Sequence, residues 1–134
     1  MMISLKQQKG LSSIGWLFVI TIFGLVFTIV AKLAPFYLDN RFVVSTLHGL
    51  AEDATFPQMT PNQVRTKLKK TFSINNIRGK AVDSVKVNKV KNTTLVTIEY
   101  EERVNILFNV DVVLTFNSLL DSSRPSDCCS AASE

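Results

Sequence analysis

From Gly10 to Ala31 the chain runs for 22 residues without a charge. As an α-helix this run would be about 33 Å long at 1.5 Å per residue. The hydrocarbon core of a bilayer is roughly 30 Å thick. A cleaved secretory signal would have a shorter apolar core and a small-residue cleavage site. The residues that follow here, Lys32-Leu33-Ala34-Pro35-Phe36, offer no such site. A buried helix apolar on every side needs protein wrapped around it, and the rest of this 134-residue chain is too short to supply that. The run is therefore read as a transmembrane helix.

The flanks orient it. Lys6 and Lys9 precede the run with no acid, whereas Lys32 and Arg41 beyond it are offset by Asp39, Glu52 and Asp53. An excess of Lys and Arg marks the cytoplasmic side, so the remainder of the chain is expected outside the cytoplasm. Trp16 near one end, and Phe36 and Tyr37 near the other, suit the two interfaces. Within the run, Thr21, Gly24, Thr28 and Ala31 recur at steps of 3 and 4 as a stripe of small residues. Phe18, Ile22, Leu25 and Ile29 form a bulkier face. Helices in lipid associate through close contact at small residues, because apolar area alone gives no drive there. The stripe is the expected partner-helix face.

The net charge of +4 hides a segregation. Residues 60 to 91 carry +8, residues 92 to 134 carry −5, and residues 1 to 59 carry +1. Such polarity suits anionic head groups or an acidic partner. It also suits basic and acidic strands paired across one sheet. Nucleic acid is not expected, since no basic pattern interleaved with aromatics appears. The two cysteines, Cys128 and Cys129, are adjacent in a tail reading DSSRPSDCCSAASE. That composition reads as disordered and dispensable.

Beyond the span, Phe36, Leu38, Phe42, Val43, Leu47 and Leu50 keep helical spacing, with Pro35 expected to kink or break the helix. Thr60-Pro61-Asn62-Gln63 is a helix start with a capping box. It opens a short amphipathic helix, roughly Pro61 to Phe72, with Val64, Leu68 and Phe72 on one face. Arg65, Lys67, Lys69 and Lys70 form its basic surface, a candidate membrane-surface or partner site. Strands are expected at Ser84 to Val90, Leu95 to Val104 and Val110 to Phe116, joined as an antiparallel meander. The expected fold is α+β: a single N-terminal transmembrane helix, a short amphipathic helix and a small antiparallel β-meander outside the cytoplasm. Its segments are a cytoplasmic leader (1–10), the transmembrane helix (11–32), a membrane-proximal helix and linker (33–59), a small α+β domain (60–121) and a disordered tail (122–134).

Chemistry is not expected. His48 is the single histidine, with the cysteines far away in sequence. Glu99 and Glu101 share a strand face, and Lys86 and Lys89 are candidate partners for them. No catalytic, cofactor-binding or metal-ligating residue is assigned.

Two resemblances add to this. Gly10-Leu11-Ser12-Ser13-Ile14 resembles the start of type IV pilins and pseudopilins, with a basic leader, a glycine before the cut and a hydrophobic residue after it. That family usually has Glu five residues after the cut. Gly15 stands there instead, a departure that bears on polymerisation. The longer resemblance is to an uncharacterised family of small single-pass proteobacterial inner-membrane proteins. It is carried by the segments Gly10 to Gly15, Lys32 to Leu38, Thr60 to Arg65, Phe72 to Asn76, Tyr100 to Val104 and Asn109 to Phe116. It implies a Gram-negative inner membrane, with the N-terminus cytoplasmic and the domain periplasmic, and it implies no activity. The expected function is a non-catalytic accessory or assembly subunit of a larger inner-membrane complex, respiratory or envelope. Its expected partners are the lipid bilayer and other membrane protein subunits, met through the transmembrane helix, with no small-molecule substrate. The alternative is a pseudopilin-like component of a pilus or secretion apparatus.

Overall fold

The computed structural model describes residues 12–129. Lys6, Lys9, the Gly10-Leu11 junction and the last five residues lie outside the described residues.

Helix α1 runs from Ser13 to Ala51, 39 residues, without interruption. Its apolar part is long enough to cross a membrane, and none of its most hydrophobic window is buried. Only Val43, Leu47 and Leu50, near the C-terminal end, enter the core, and Ile29, Leu33 and Phe36 pack against the edge of that core. These six residues fall in steps of 3, 4 and 7, so one face of one helix serves both regions. Of the expected kink or break at Pro35, the break does not occur: Pro35 lies inside α1. Proline removes the hydrogen bond to the Ala31 carbonyl. Leu33 and Phe36, on either side of it, rest on the same core and hold the helix together. The expected boundary at residue 32 falls inside this one helix, and residues 52–59 connect it to the next.

A short 3-10 turn, Phe56–Gln58, sinks the Phe56 ring into the core. Helix α2 follows, Pro61–Ile74, two residues longer than the sequence reading. Its capping box is formed: the Gln63 amide donates to Thr60 Oγ1 at 3.4 Å, and the Thr60 amide donates to Gln63 Oε1 at 2.8 Å. Val64, Leu68 and Phe72 are its buried face, as the spacing implies. At its far end Asn76 takes φ 58°, the left-handed conformation that asparagine tolerates. The Ile77 amide then reaches back to the Phe72 carbonyl at 2.8 Å, and Ile77 is buried beside it. A four-residue helix α3, Lys80–Asp83, leads from there to the sheet.

The sheet is the expected antiparallel meander, in the order β1-β2-β3. Strand β1 spans Val85–Val90, β2 Thr93–Leu107 and β3 Val110–Asp121. Strand β3 exceeds the sequence reading because Asn117 to Asp121 continue the pairing against Leu95 to Glu99, and β2 exceeds it because Thr93 and Thr94 pair with Val90 and Lys89, and Asn105 and Leu107 with Asp111 and Val110. The buried face alternates through Val96, Ile98, Tyr100, Val104 and Ile106 on β2, and Leu114, Phe116 and Leu120 on β3. It closes on α1 and α2 as one cluster with Phe56, Leu68 and Phe72. Burying each such large side chain contributes about 1.5–3 kcal/mol.

The disordered tail is corrected for residues 122–129. Ser122 and Thr94 exchange two hydrogen bonds, amide to carbonyl at 3.0 Å and amide to Oγ at 2.8 Å. A 3-10 turn, Pro125–Asp127, then brings Cys128 and Cys129 against the core. The Cys129 amide donates to the Leu119 carbonyl at 2.9 Å. A polar segment is held here by backbone pairing with a sheet end, which composition does not reveal.

Candidate interaction surfaces

The small-residue stripe lies on the exposed part of α1, and Thr21, Gly24, Thr28 and Ala31 are all open. At 3.6 residues per turn the stripe sits about 110° around the helix from the face that carries Ile29, Leu33 and Phe36. The folded domain therefore does not cover it. Phe18, Ile22 and Leu25 lie instead on the line of the domain-facing residues. A Cβ placed on Gly24 would meet no atom within 4 Å. Gly24 lies at one edge of a shallow apolar groove lined also by Trp16, Ile20, Phe23 and Phe27. The threonine hydroxyls do not project as free donors: Thr21 Oγ1 donates to the Leu17 carbonyl at 2.9 Å, and Thr28 Oγ1 to the Gly24 carbonyl at 2.8 Å. This face offers close packing and acceptor oxygens, with its hydroxyl protons already committed.

The basic residues of α2 do not form one patch. Arg65, Lys67, Lys69 and Lys70 are exposed, and they spread over a little more than half of the helix circumference. Lys67 turns toward the end of α1 and pairs with the Asp53 carboxylate. That carboxylate also accepts from the Thr55 amide at 2.9 Å and the Thr55 hydroxyl at 2.6 Å. The Lys67 ammonium first, and Thr55 second, hold the Asp53 carboxyl well below the usual carboxylate range. Its contribution to stability is thus present above the ordinary carboxylate pKa and lost in acid. Lys86 and Lys89 do not pair with Glu99 and Glu101: Lys86 stands opposite Thr97, and Lys89 Nζ donates to the Met59 carbonyl at 3.4 Å. Lys80 Nζ reaches the Glu101 carbonyl at 2.9 Å, leaving the carboxylate itself on the open face of the sheet.

One meeting of side chains was not legible in the sequence. His48 on α1 and the sulfurs of Cys128 and Cys129 lie within 4.8 Å of one another. Imidazole with two thiolates is a donor set for a soft or borderline ion such as zinc. The two sulfurs are joined to each other in this structure, and a disulfide sulfur is not a thiolate ligand. The signal was hidden because 80 residues separate His48 from Cys128.

Helix α1 is tied directly to the β2–β3 hairpin. Lys32 Nζ donates to the carbonyls of Asn105 at 3.1 Å and Ile106 at 2.9 Å. Lower down, Tyr37 meets Phe116 edge to face at 5.7 Å, and Phe116 lies 5.2 Å from Tyr100. Strand and helix thus run side by side toward the apolar segment. Lys32, the first charge after that segment, is bonded to the hairpin.

No curated protein and no solved structure matches the chain. A family model does match, over residues 32–116, from the lysine at the end of the apolar run to the middle of β3. The matched part holds the C-terminal half of α1, helix α2 and most of the meander, so this chain belongs to the family described as Domain of unknown function (DUF4845).

Proposed function

We propose that the protein is a non-catalytic, membrane-anchored accessory or assembly subunit of a larger inner-membrane complex, with its N-terminus in the cytoplasm and its domain in the periplasm. The observation that carries this reading is the continuity of α1. One helix provides both the apolar span and three core residues of the domain, Val43, Leu47 and Leu50. A contact made by the span is then transmitted to the domain through a rigid element with no linker. The stripe at Thr21, Gly24 and Thr28 lies away from the domain's side of that helix, where a neighbouring helix can approach closely. The full chain, extracted in mild detergent, should migrate as an assembly of fixed composition larger than the chain alone. Elution of the chain by itself, at every detergent concentration that keeps it soluble, would contradict the reading.

A second reading is a pseudopilin-like component of a pilus or secretion apparatus. What favours it is a long N-terminal helix whose second half packs on an antiparallel sheet. It requires cleavage between Gly10 and Leu11. The mass of the mature protein decides: an intact N-terminus removes this alternative.

A further inference from the structure

We propose that the β2–β3 hairpin tip is a second membrane contact, which inserts Leu107, Phe108 and Val110 into the apolar edge of the same bilayer that the span crosses. The proposal rests on reading the apolar part of α1 as a membrane span. Position comes first. From Tyr100 and Phe116, at the level of Tyr37, the strands advance to Asn105 and Ile106, at the level of Lys32. Beyond Ile106 the strand continues for one residue, Leu107, about 3 Å at strand rise, and Phe108 and Asn109 make the turn beyond it. Lys32 closes the uncharged run and is bonded to Asn105 and Ile106, so the turn at Phe108 lies at the end of the domain next to the apolar segment.

Composition comes second. The hairpin carries no charge from Val104 to Val110. Phe108 is 95% exposed, Val110 59% and Leu107 43%. Phe108 also takes φ 43°, a left-handed conformation that glycine or asparagine adopts at less cost. A large aromatic in that position neither fills the core nor eases the turn, and a bulky apolar group aimed outward is what a bilayer accepts. The polar groups behind it are closed on one another. Asn105 Nδ2 donates to the Phe108 carbonyl at 3.0 Å and to Asp111 Oδ1 at 2.7 Å. Backbone entering lipid must have its polar groups satisfied within the protein. Arg103, exposed and opposite Val113, stands behind the tip at the depth where head-group phosphates lie. The apolar tip lies at the end of the domain that is bonded to Lys32, the first charge after the apolar segment, so one bilayer can cover both.

The chain has one tryptophan, Trp16, within the span. This allows the two contacts to be read separately in phosphatidylcholine vesicles containing acyl-chain-brominated lipid. Trp16 in the parent reports the span. The full-length double variant Trp16→Phe, Phe108→Trp reports the tip. A third protein, Trp16→Phe with Val90→Trp, reports the opposite end of the sheet, where Val90 is 65% exposed. The expected result is quenching of Trp16 and of tryptophan at position 108 by at least twofold, with position 90 unaffected. Quenching of Trp16 without quenching at 108 overturns the hairpin proposal and leaves the span standing. Quenching at none of the three positions overturns the span reading and this proposal with it. Equal quenching at 90 and 108 shows generalised adsorption of the domain and also overturns the proposal. Both sites are exposed, and an unchanged thermal transition in each variant verifies that the fold is retained.

Discussion

Tyr100 carries a hydroxyl that is buried in the core without a hydrogen-bond partner among the described residues. Burial first, then the nearby charges of Asp39 and Glu102, push its phenol up to about 12. A buried polar group without a partner costs stability. Tyr100→Phe keeps the ring against Phe116 and removes the cost. It should leave stability at neutral pH unchanged or raise it by up to about 1 kcal/mol in chemical denaturation. The pH sign follows from linkage. An unfolded tyrosine titrates near 10, below the folded value, so the stability tied to the neutral phenol is complete below about pH 10 and is lost as pH rises through the folded pKa. The gap between variant and parent should therefore widen in favour of the variant from pH 10 upward. A variant that loses stability by more than 1 kcal/mol at neutral pH would show that the hydroxyl has a partner after all.

At the scale of elements, the parts most legible in the sequence were those set by local rules. Thr60, Pro61 and Gln63 specify the start of α2 by capping chemistry alone, and alternation in Val110 to Phe116 specifies a strand. The missed parts are set by tertiary contact. Asn117 to Asp121 has a serine on its inward face, so its pattern looks like the end of a strand, yet Ser118 is buried and pairs opposite Ile98. The segment from Ser122 to Cys129 is polar and was read as dispensable. It is held by hydrogen bonds to Thr94 and Leu119 that no local pattern announces. The basic surface was half legible: four exposed cations are present on α2, but the helix turns them in different directions. Truncation after Asp121 should lower domain stability by about 1–3 kcal/mol, the loss of three hydrogen bonds and their packing, measured by thermal or chemical unfolding. A truncated chain as stable as the parent would return residues 122–129 to the status of a passive tail.

At the scale of the whole molecule, the account is of one helix that belongs to two environments. Its first half is exposed and apolar, and its second half is a core element of an α+β domain. The proposed orientation, N-terminus inside and domain outside, has a direct check. Protease added to intact spheroplasts should remove the domain, and protection of the full-length chain would reverse the topology. The central claim, that the protein works by joining a complex through its span, is tested most directly by one pair of substitutions. Gly24→Leu puts a large side chain into the open space beside Gly24 and holds a neighbouring helix away. Ile22→Leu changes shape on the other face at constant volume. Both keep the span apolar and able to insert. Co-purification of the two variants with the partners of the parent is the measurement. The account predicts that Gly24→Leu releases those partners while remaining in the membrane, and that Ile22→Leu retains them. Recovery of the same partners at the same yield with Gly24→Leu would contradict it.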